Sequence, residues 1–360
     1  MGEGVTQPSH ISAIGVPEPL DADATEAAPQ GWLFQLQRPL RSLQRLLHRH
    51  AALGPLLVLV LSAATFELLN HRFLYLEDVS LMLQQVTVVG SLAVGQTLIM
   101  LTAGIDLSIG ALMIFVQMIM GELAINSGVP PFLALVIGLG FGALMGLANG
   151  ALVARVRLPP FIVTLGTLGI FTALALRLSG GATLFFSNST NMLLWTGTLV
   201  SLGSFNITTG VFLMLGLYLL FWYLLTWTAW GKHIYAVGDD VEASRLAGIR
   251  VRAVITSVYV VAGVIYGLAA WVQIGRVGSV SPDISTTLNL DSITAVVIGG
   301  TSLFGGRGVM MGTLFGALIV QVFNTGLELS GVNALYLPLA EGILVIFAVT
   351  LDHWIRAVRH

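Results

Sequence analysis

The sequence predicts an all-α polytopic membrane protein of about ten transmembrane helices, and three observations carry that expectation. The 360-residue chain is 56% hydrophobic and only 9% charged, with a mean hydropathy of +0.88. A soluble domain is roughly a quarter charged, because its surface must be solvated. The apolar residues gather in runs close to the about 20 residues that a helix needs to cross the hydrocarbon core. Lys and Arg are also divided unevenly between the loops on alternate sides of the bilayer.

Residues 1–31 read as a disordered tail, with Pro8, Pro17, Pro19 and Pro29 among small and acidic residues. The tail has neither the basic start nor the apolar run of a signal peptide. Residues 32–50 interleave Arg38, Arg41, Arg45 and Arg49 with Leu36, Leu40, Leu43, Leu46 and Leu47. That pattern predicts a basic amphipathic helix lying on the cytoplasmic face of the membrane lipid. The transmembrane domain is expected over 51–352, with spans at 52–69, 79–103, 107–125, 131–154, 160–178, 210–229, 253–274, 290–305, 308–329 and 335–351. Residues 353–360 form a short tail. The glycines, 41 in all, suit closely packed membrane helices.

With both termini cytoplasmic, ten spans place Arg155, Arg157, Lys232, Arg245, Arg250, Arg252, Arg307, Arg356 and Arg359 inside with the four N-terminal arginines. Only Arg72, Arg177 and Arg276 fall outside. One span more or fewer before residue 230 would place one of the two basic blocks on the wrong side, so the bias supports the span count as well as the orientation. The segment 179–209 then forms an external loop, read either as a docking surface or as a solvated connector with a short lid helix. The loop 230–252 becomes a long polar, basic stretch inside.

Phe-Gly-Ala-Leu occurs at 141–144 and 315–318, each expected to open a helix that later carries an Asn beside small residues: Asn149 and Asn324. These are the fourth and ninth expected spans. An offset of five would run the copies in opposite directions, as in the inverted repeats of transporters.

Two helix breaks are expected. Gly104 and Asp106 interrupt an apolar run, and Asp106 reads as the N-cap of the next helix. An intramembrane carboxylate costs roughly 3 kcal/mol unless it finds a partner or water. Asp106 is therefore a cap at the membrane face, part of a translocation pathway, or a proton relay. A proton-coupled secondary transporter would use Asp106, Glu122 or Glu341. Gly299 and Gly300 mark the second break. The intramembrane amides Gln96, Gln117, Asn149 and Asn324 are candidates to line a pathway, since amides bond sugar hydroxyls without a desolvated charge. Each also fits an ordinary interhelical hydrogen bond.

Several chemistries are excluded. There are no cysteines, and the seven histidines are scattered without metal-ligand spacing or a Ser-His-Asp arrangement. No metal site or catalytic residue is expected. Neither Gly231-Lys232 nor the glycines at 299–308 continue into a Walker A sequence, so no ATP site is visible. The basic residues form no stripe for nucleic acid.

Four stretches, AVGQTLIMLTAGIDLSIGALM (93–113), PPFIVTLGTLGIF (159–171), GKHIYAVGDDVEASRLAGIRV (231–251) and LDSITAVVIGGTSLFGGRG (290–308), occur in one order. Together they resemble the permease subunits of bacterial ABC sugar importers, especially those for ribose and xylose. The resemblance covers about residues 50–351. It implies inverted halves, a second permease subunit as partner, and a bacterial inner-membrane location. It also implies two cytoplasmic ATPase subunits that bind ATP and Mg, and a periplasmic or lipoprotein sugar-binding protein. The family's Glu-Ala-Ala-Arg-x-x-Gly coupling helix is matched by Glu242, Ala243, Arg245 and Gly248, with Ser244 in place of an Ala. Asp239 and Asp240 stand where Gly-Asn is frequent, and Leu246 belongs to the same contact.

Overall fold

The computed structural model describes residues 52–186, 192–283 and 287–333, with isolated positions from 336 to 346. The tail 1–31, the amphipathic helix 32–50, the C-terminal tail 353–360 and, apart from those isolated positions, the span 335–351 lie outside the described residues. Glu341 does as well. The described part belongs to one compact unit, Leu47–His360.

In chain order the long helices are α1 (Leu53–Leu69), α2 (Leu76–Leu101), α3 (Ile109–Gly121), α4 (Pro131–Ala151), α5 (Pro160–Ser179) and α6 (Thr209–Trp227). The short α7 (Ala229–Asp239) and α8 (Val241–Leu246) follow, then α9 (Val251–Val277), α10 (Thr287–Ile298) and α11 (Met310–Leu329). π-helical turns extend α3 over Glu122–Asn126 and α4 over Leu152–Val156. Among the described residues seven helices are long and apolar enough to cross a membrane: α2 to α6, α9 and α11, with α3 and α4 counted through their π-turns. α1 and α10 are shorter.

The expected span 290–305 needs correction. α10 has 12 residues and ends at Ile298, where Gly300 turns into the left-handed region at φ +84°. Twelve residues reach about 18 Å, well short of a hydrocarbon core of about 30 Å. The apolar run continues past the helix, but the backbone does not. A smaller correction concerns the Phe-Gly-Ala-Leu copies: Phe141 lies in the middle of α4 rather than at its start, while Phe315 lies in the second turn of α11.

α2 and α3 form the centre. Every residue of α3 from Ile109 to Gly121 is buried, and 83% of the apolar window of α2 is too. A helix apolar all round belongs inside other helices. α4 and α5 bury only 28% of theirs and turn Phe132, Val136, Phe161 and Leu165 outward, as lipid-facing helices do. α4 runs antiparallel to α9 along a ridge of Gly142, Gly146 and Gly150. A Cβ on Gly142 would lie 2.5 Å from the Gly263 carbonyl oxygen, and one on Gly146 would overlap the Tyr259 carbonyl. Such close backbone approach is how membrane helices gain packing where water cannot drive them together.

The helix directions sort the basic residues. The C-terminal end of α4, with Arg155 and Arg157, lies beside the start of α9, with Arg250 and Arg252. Gly306, beside Arg307, contacts the end of α7, which places Lys232, Arg245 and Arg307 at that same end. Arg177 and Arg276 end α5 and α9 at the opposite end, and Arg72 precedes α2 there.

That opposite end carries short strands and a short helical turn. β1 (Leu184–Phe185) pairs antiparallel with β4 (Ser279–Val280), Leu184 opposite Val280. β2 (Leu199–Leu202) and β3 (Phe205–Thr208) form a hairpin around Gly203, which has φ +67°. Between β1 and β2, a 3-10 turn, Met192–Gly197, is bound to α9: the Thr196 hydroxyl donates to the Trp271 carbonyl (2.9 Å), and Trp195 stacks on Trp271 at 5.7 Å.

Candidate functional site

The polar segment after α6 is two helices rather than a loop around one. Thr228 caps α7: its hydroxyl accepts from the Gly231 N–H (3.2 Å) and donates to the Leu224 carbonyl (2.6 Å). α7 buries Gly231, Ile234, Val237 and Gly238, spaced three to four residues apart, and exposes Lys232 and His233. That spacing is one helical face. Trp230 Nε1 donates to Ser257 Oγ on α9 (2.9 Å), and the Tyr235 hydroxyl donates to the Gly308 carbonyl (2.9 Å). Burial pushes the Tyr235 phenol pKa upward.

α8 follows after one bend. Asp240 Oδ1 accepts from the backbone N–H groups of Glu242 (2.8 Å) and Ala243 (2.9 Å), a side-chain N-cap. At the other end the Ile249 N–H reaches the Ser244 carbonyl and the Gly248 N–H reaches the Arg245 carbonyl, both at 3.0 Å, with Gly248 at φ +85°. This is a Schellman termination, which needs a left-handed residue at Gly248. Glu242 and Arg245 pair at 2.7 Å with both side chains about two-thirds exposed. So exposed a pair adds about 0–1 kcal/mol. Asp239, Ala243 and Leu246 are exposed, Leu246 at 84%. All seven sequence-identified coupling residues thus lie on or next to one self-capped helix, and Asp240 is its N-cap.

The first helix break, residues 102–108, is held by side chains. Asp106 is 1% exposed, and its Oδ1 accepts from the Ser108 N–H (2.8 Å) and the Ser108 hydroxyl (2.6 Å). Asn149 Nδ2 donates to Ser108 Oγ (3.1 Å), and Thr164 Oγ1 to the Ile105 carbonyl (3.1 Å). Gly110 N–H donates to Asn289 Oδ1 (2.7 Å). The N-cap position of α3 is Ser108 rather than Asp106, which lies buried in the turn before it. Gly104 leaves no room for a side chain, since a Cβ there would lie 2.9 Å from Ile99. At the second break, Gly299 packs against Gly312 of α11 and Gly300 turns the chain.

The four pathway candidates lie on four helices. Gln96 is fully buried in α2, and neither of its amide atoms has a hydrogen-bond partner among the described residues. Gln117 is buried in α3, with Oε1 likewise unpartnered. Asn149 Nδ2 is bound to Ser108, while its Oδ1 has no hydrogen-bond partner among the described residues. Asn324 is half-buried in α11 and lines a small pocket with Asp291, Thr294, Phe323, Leu327 and Ala340. Among the described residues no hydrogen bond joins any two of the four. Asp291, a carboxylate 6% exposed on the same pocket, is a candidate that sequence reasoning did not single out; its signal is an acid opening the apolar run at 290. Other amides serve packing: Gln84 donates to the Asn206 carbonyl (2.7 Å), and Gln321 bonds Gln85 across α11 and α2. Glu122 accepts from Asn126 (2.8 Å) at the far end of α3 from Asp106, roughly 20 Å away along the helix.

Comparison with known proteins follows the same lines. The family described as branched-chain amino acid transport system / permease component matches residues 79–349. The fructose import permease protein FrcC of Rhizobium meliloti is 49% identical over 323 residues, covering 89% of this chain and 90% of that protein. The ribose import permease protein RbsC of Bacillus subtilis is 36% identical, over 83% of this chain and 92% of its own. The D-allose transport system permease protein AlsC of Escherichia coli is 33% identical, over 84% and 91%. No solved structure matches. With seven membrane-length apolar helices among the described residues and a family match that spans most of its length, the chain belongs to the branched-chain amino acid transport system / permease component family of membrane proteins.

Proposed function

We propose that this chain is the permease subunit of an ATP-driven sugar importer in a bacterial inner membrane. The observation that carries this reading is α8. Six residues, capped at both ends by their own chain, present Glu242, Arg245 and Leu246 outward at the basic end of the bundle. A single exposed leucine is ordinary, but a short helix that ties off its own ends is built to keep a shape that a partner reads. The partner is a cytoplasmic ATPase subunit, which binds the ATP and Mg. The basic end is then cytoplasmic, as the distribution of Lys and Arg requires, and both termini lie there. A binding protein delivers sugar to the end that carries the β2–β3 hairpin. Two copies of the permease pair, and the pathway opens to one side at a time as the ATPases close and release.

The cargo is a neutral monosaccharide. The relatives are named for fructose, ribose and D-allose, and the fructose permease shares more of this sequence than the ribose permease does. Fructose therefore comes before ribose and xylose as the sugar to test. The proton-coupled alternative gains no support from the geometry. Asp106 is tied to Ser108, and Glu122 lies at the other end of a fully buried helix.

The test is uptake of labelled fructose, ribose and xylose into proteoliposomes that hold the permease, its ATPase and its binding protein. ATP-dependent uptake that an uncoupler leaves intact is expected. Uptake by this chain alone, abolished by the uncoupler, would establish a secondary transporter instead. The double variant Glu242→Arg with Arg245→Glu should lose ATPase docking and import; normal assembly and import would sink the assignment of α8.

A further inference from the structure

We propose that Gly238, Gly305 and Gly306 form a main-chain joint that passes any displacement of α8 directly to α2 and to the loop before α11. This rests on the reading of α8 as the ATPase-docking helix and adds the route by which docking reaches the membrane helices.

Three backbones meet at this point with no side chain between them. A Cβ on Gly238 would overlap the Leu101 carbonyl oxygen at the end of α2 and lie 2.7 Å from the Gly306 nitrogen. A Cβ on Gly305 would lie 2.6 Å from the Gly238 carbonyl oxygen and 2.8 Å from Ala103 Cβ, and one on Gly306 would lie 2.8 Å from Asp239 Cα. The Gly306 N–H donates to the Leu101 carbonyl at 3.0 Å. Two of the three segments are bent to fit: Gly305 has φ +84° and Gly306 φ +69° on one, and Ala103, which is not a glycine, φ +60° on another. A left-handed alanine is strained and persists only where its surroundings fix it. The loop is closed by the Ser302 N–H on the Arg307 carbonyl (2.8 Å) and pinned to α7 by the Tyr235 hydroxyl on the Gly308 carbonyl (2.9 Å).

The position of the joint decides its role. Only Asp239 separates Gly238 from Asp240, the cap of α8. Side chains between moving parts can absorb a displacement by changing rotamer, whereas touching backbones have no such slack. A push on α8 therefore arrives at the C-terminal end of α2, the central helix, and at the start of α11. At Gly238, whose backbone is helical, packing alone would be served by alanine or serine with the elements a little further apart.

The experiment uses the assembled complex with ATPase and binding protein. Gly238→Ala is expected to lower sugar transported per ATP hydrolysed by about tenfold, within the range that substitutions along a coupling network produce, while the complex stays assembled. Gly216→Ala, whose added carbon meets nothing within 4 Å, should leave the ratio unchanged. An assembled Gly238→Ala complex with an unchanged ratio would overturn the proposal. A second measurement covers a variant that fails to fold. The chain has no native cysteines, so spin labels on Val241→Cys and Phe304→Cys report the joint alone. Their separation should stay within the about 1–2 Å of an ordinary helix shift between nucleotide-free and ATP-bound states; a larger change overturns the joint. Immobilisation of the Val241 label on adding ATPase reports docking separately, so a failure of the docking reading is told apart from a failure of the joint.

Discussion

α7 buries Gly231, Ile234, Val237 and Gly238 and holds two neighbouring elements through Trp230 and Tyr235, whereas α8, which starts two residues after α7 ends, buries only Ser244 and closes both of its own ends. The shape of the first comes from the bundle, and that of the second from its own six residues and their flanks. A contact surface meant for a separate protein gains from the second design, because its geometry survives while the bundle rearranges. A part that must follow the bundle gains from the first.

The largest effect that would test this contrast is at Ile234, which is fully buried. Ile234→Ala should lower the stability of the purified protein by about 2–5 kcal/mol, read as earlier thermal unfolding in detergent. A loss no larger than an exposed substitution gives would mean that α7 is not anchored. Asp240→Ala comes next: removing the cap should cost about 1 kcal/mol, confined to α8. It should weaken ATPase binding about fivefold with little change in unfolding temperature, and Asp240→Asn should restore binding, since Asn caps equally well. Glu242→Gln should be smallest. Its pair with Arg245 is solvent-exposed, so stability should shift by less than about 1 kcal/mol, and less still in high salt. A large stability loss there would show that α8 does depend on the charge pair.

The long helices are legible in the sequence because apolar length and proline punctuation coincide. Pro159-Pro160 opens α5 and Gly180, at φ +61°, closes it, within a residue of the expected 160–178. α10 is misjudged because hydropathy counts Gly299, Gly300 and Leu303 as continuing the run, while the break is conformational. α7 is hidden by Lys232, His233 and Asp239, although Ile234 and Val237 already carry helical spacing. The surroundings of Asp106 are legible only in part: Ser108, its direct partner, is two residues on in the chain. Asn149 and Thr164 come from α4 and α5, so only the packed bundle brings them to the turn. The direction of the pathway amides is hidden for the same reason: residue type marks them as polar and apolar neighbours mark them as intramembrane, but neither says which way they face.

Where Gly142, Gly146 and Gly150 lay the bare backbone of α4 against α9, neither helix has side chains to re-sort. Sliding one along the other would drive the Gly263 and Tyr259 carbonyls into the opposing chain, and rotating α4 would bring Phe141 or Met145 into a seam too thin for them. A seam of this kind favours moving α4 and α9 together, as a single beam.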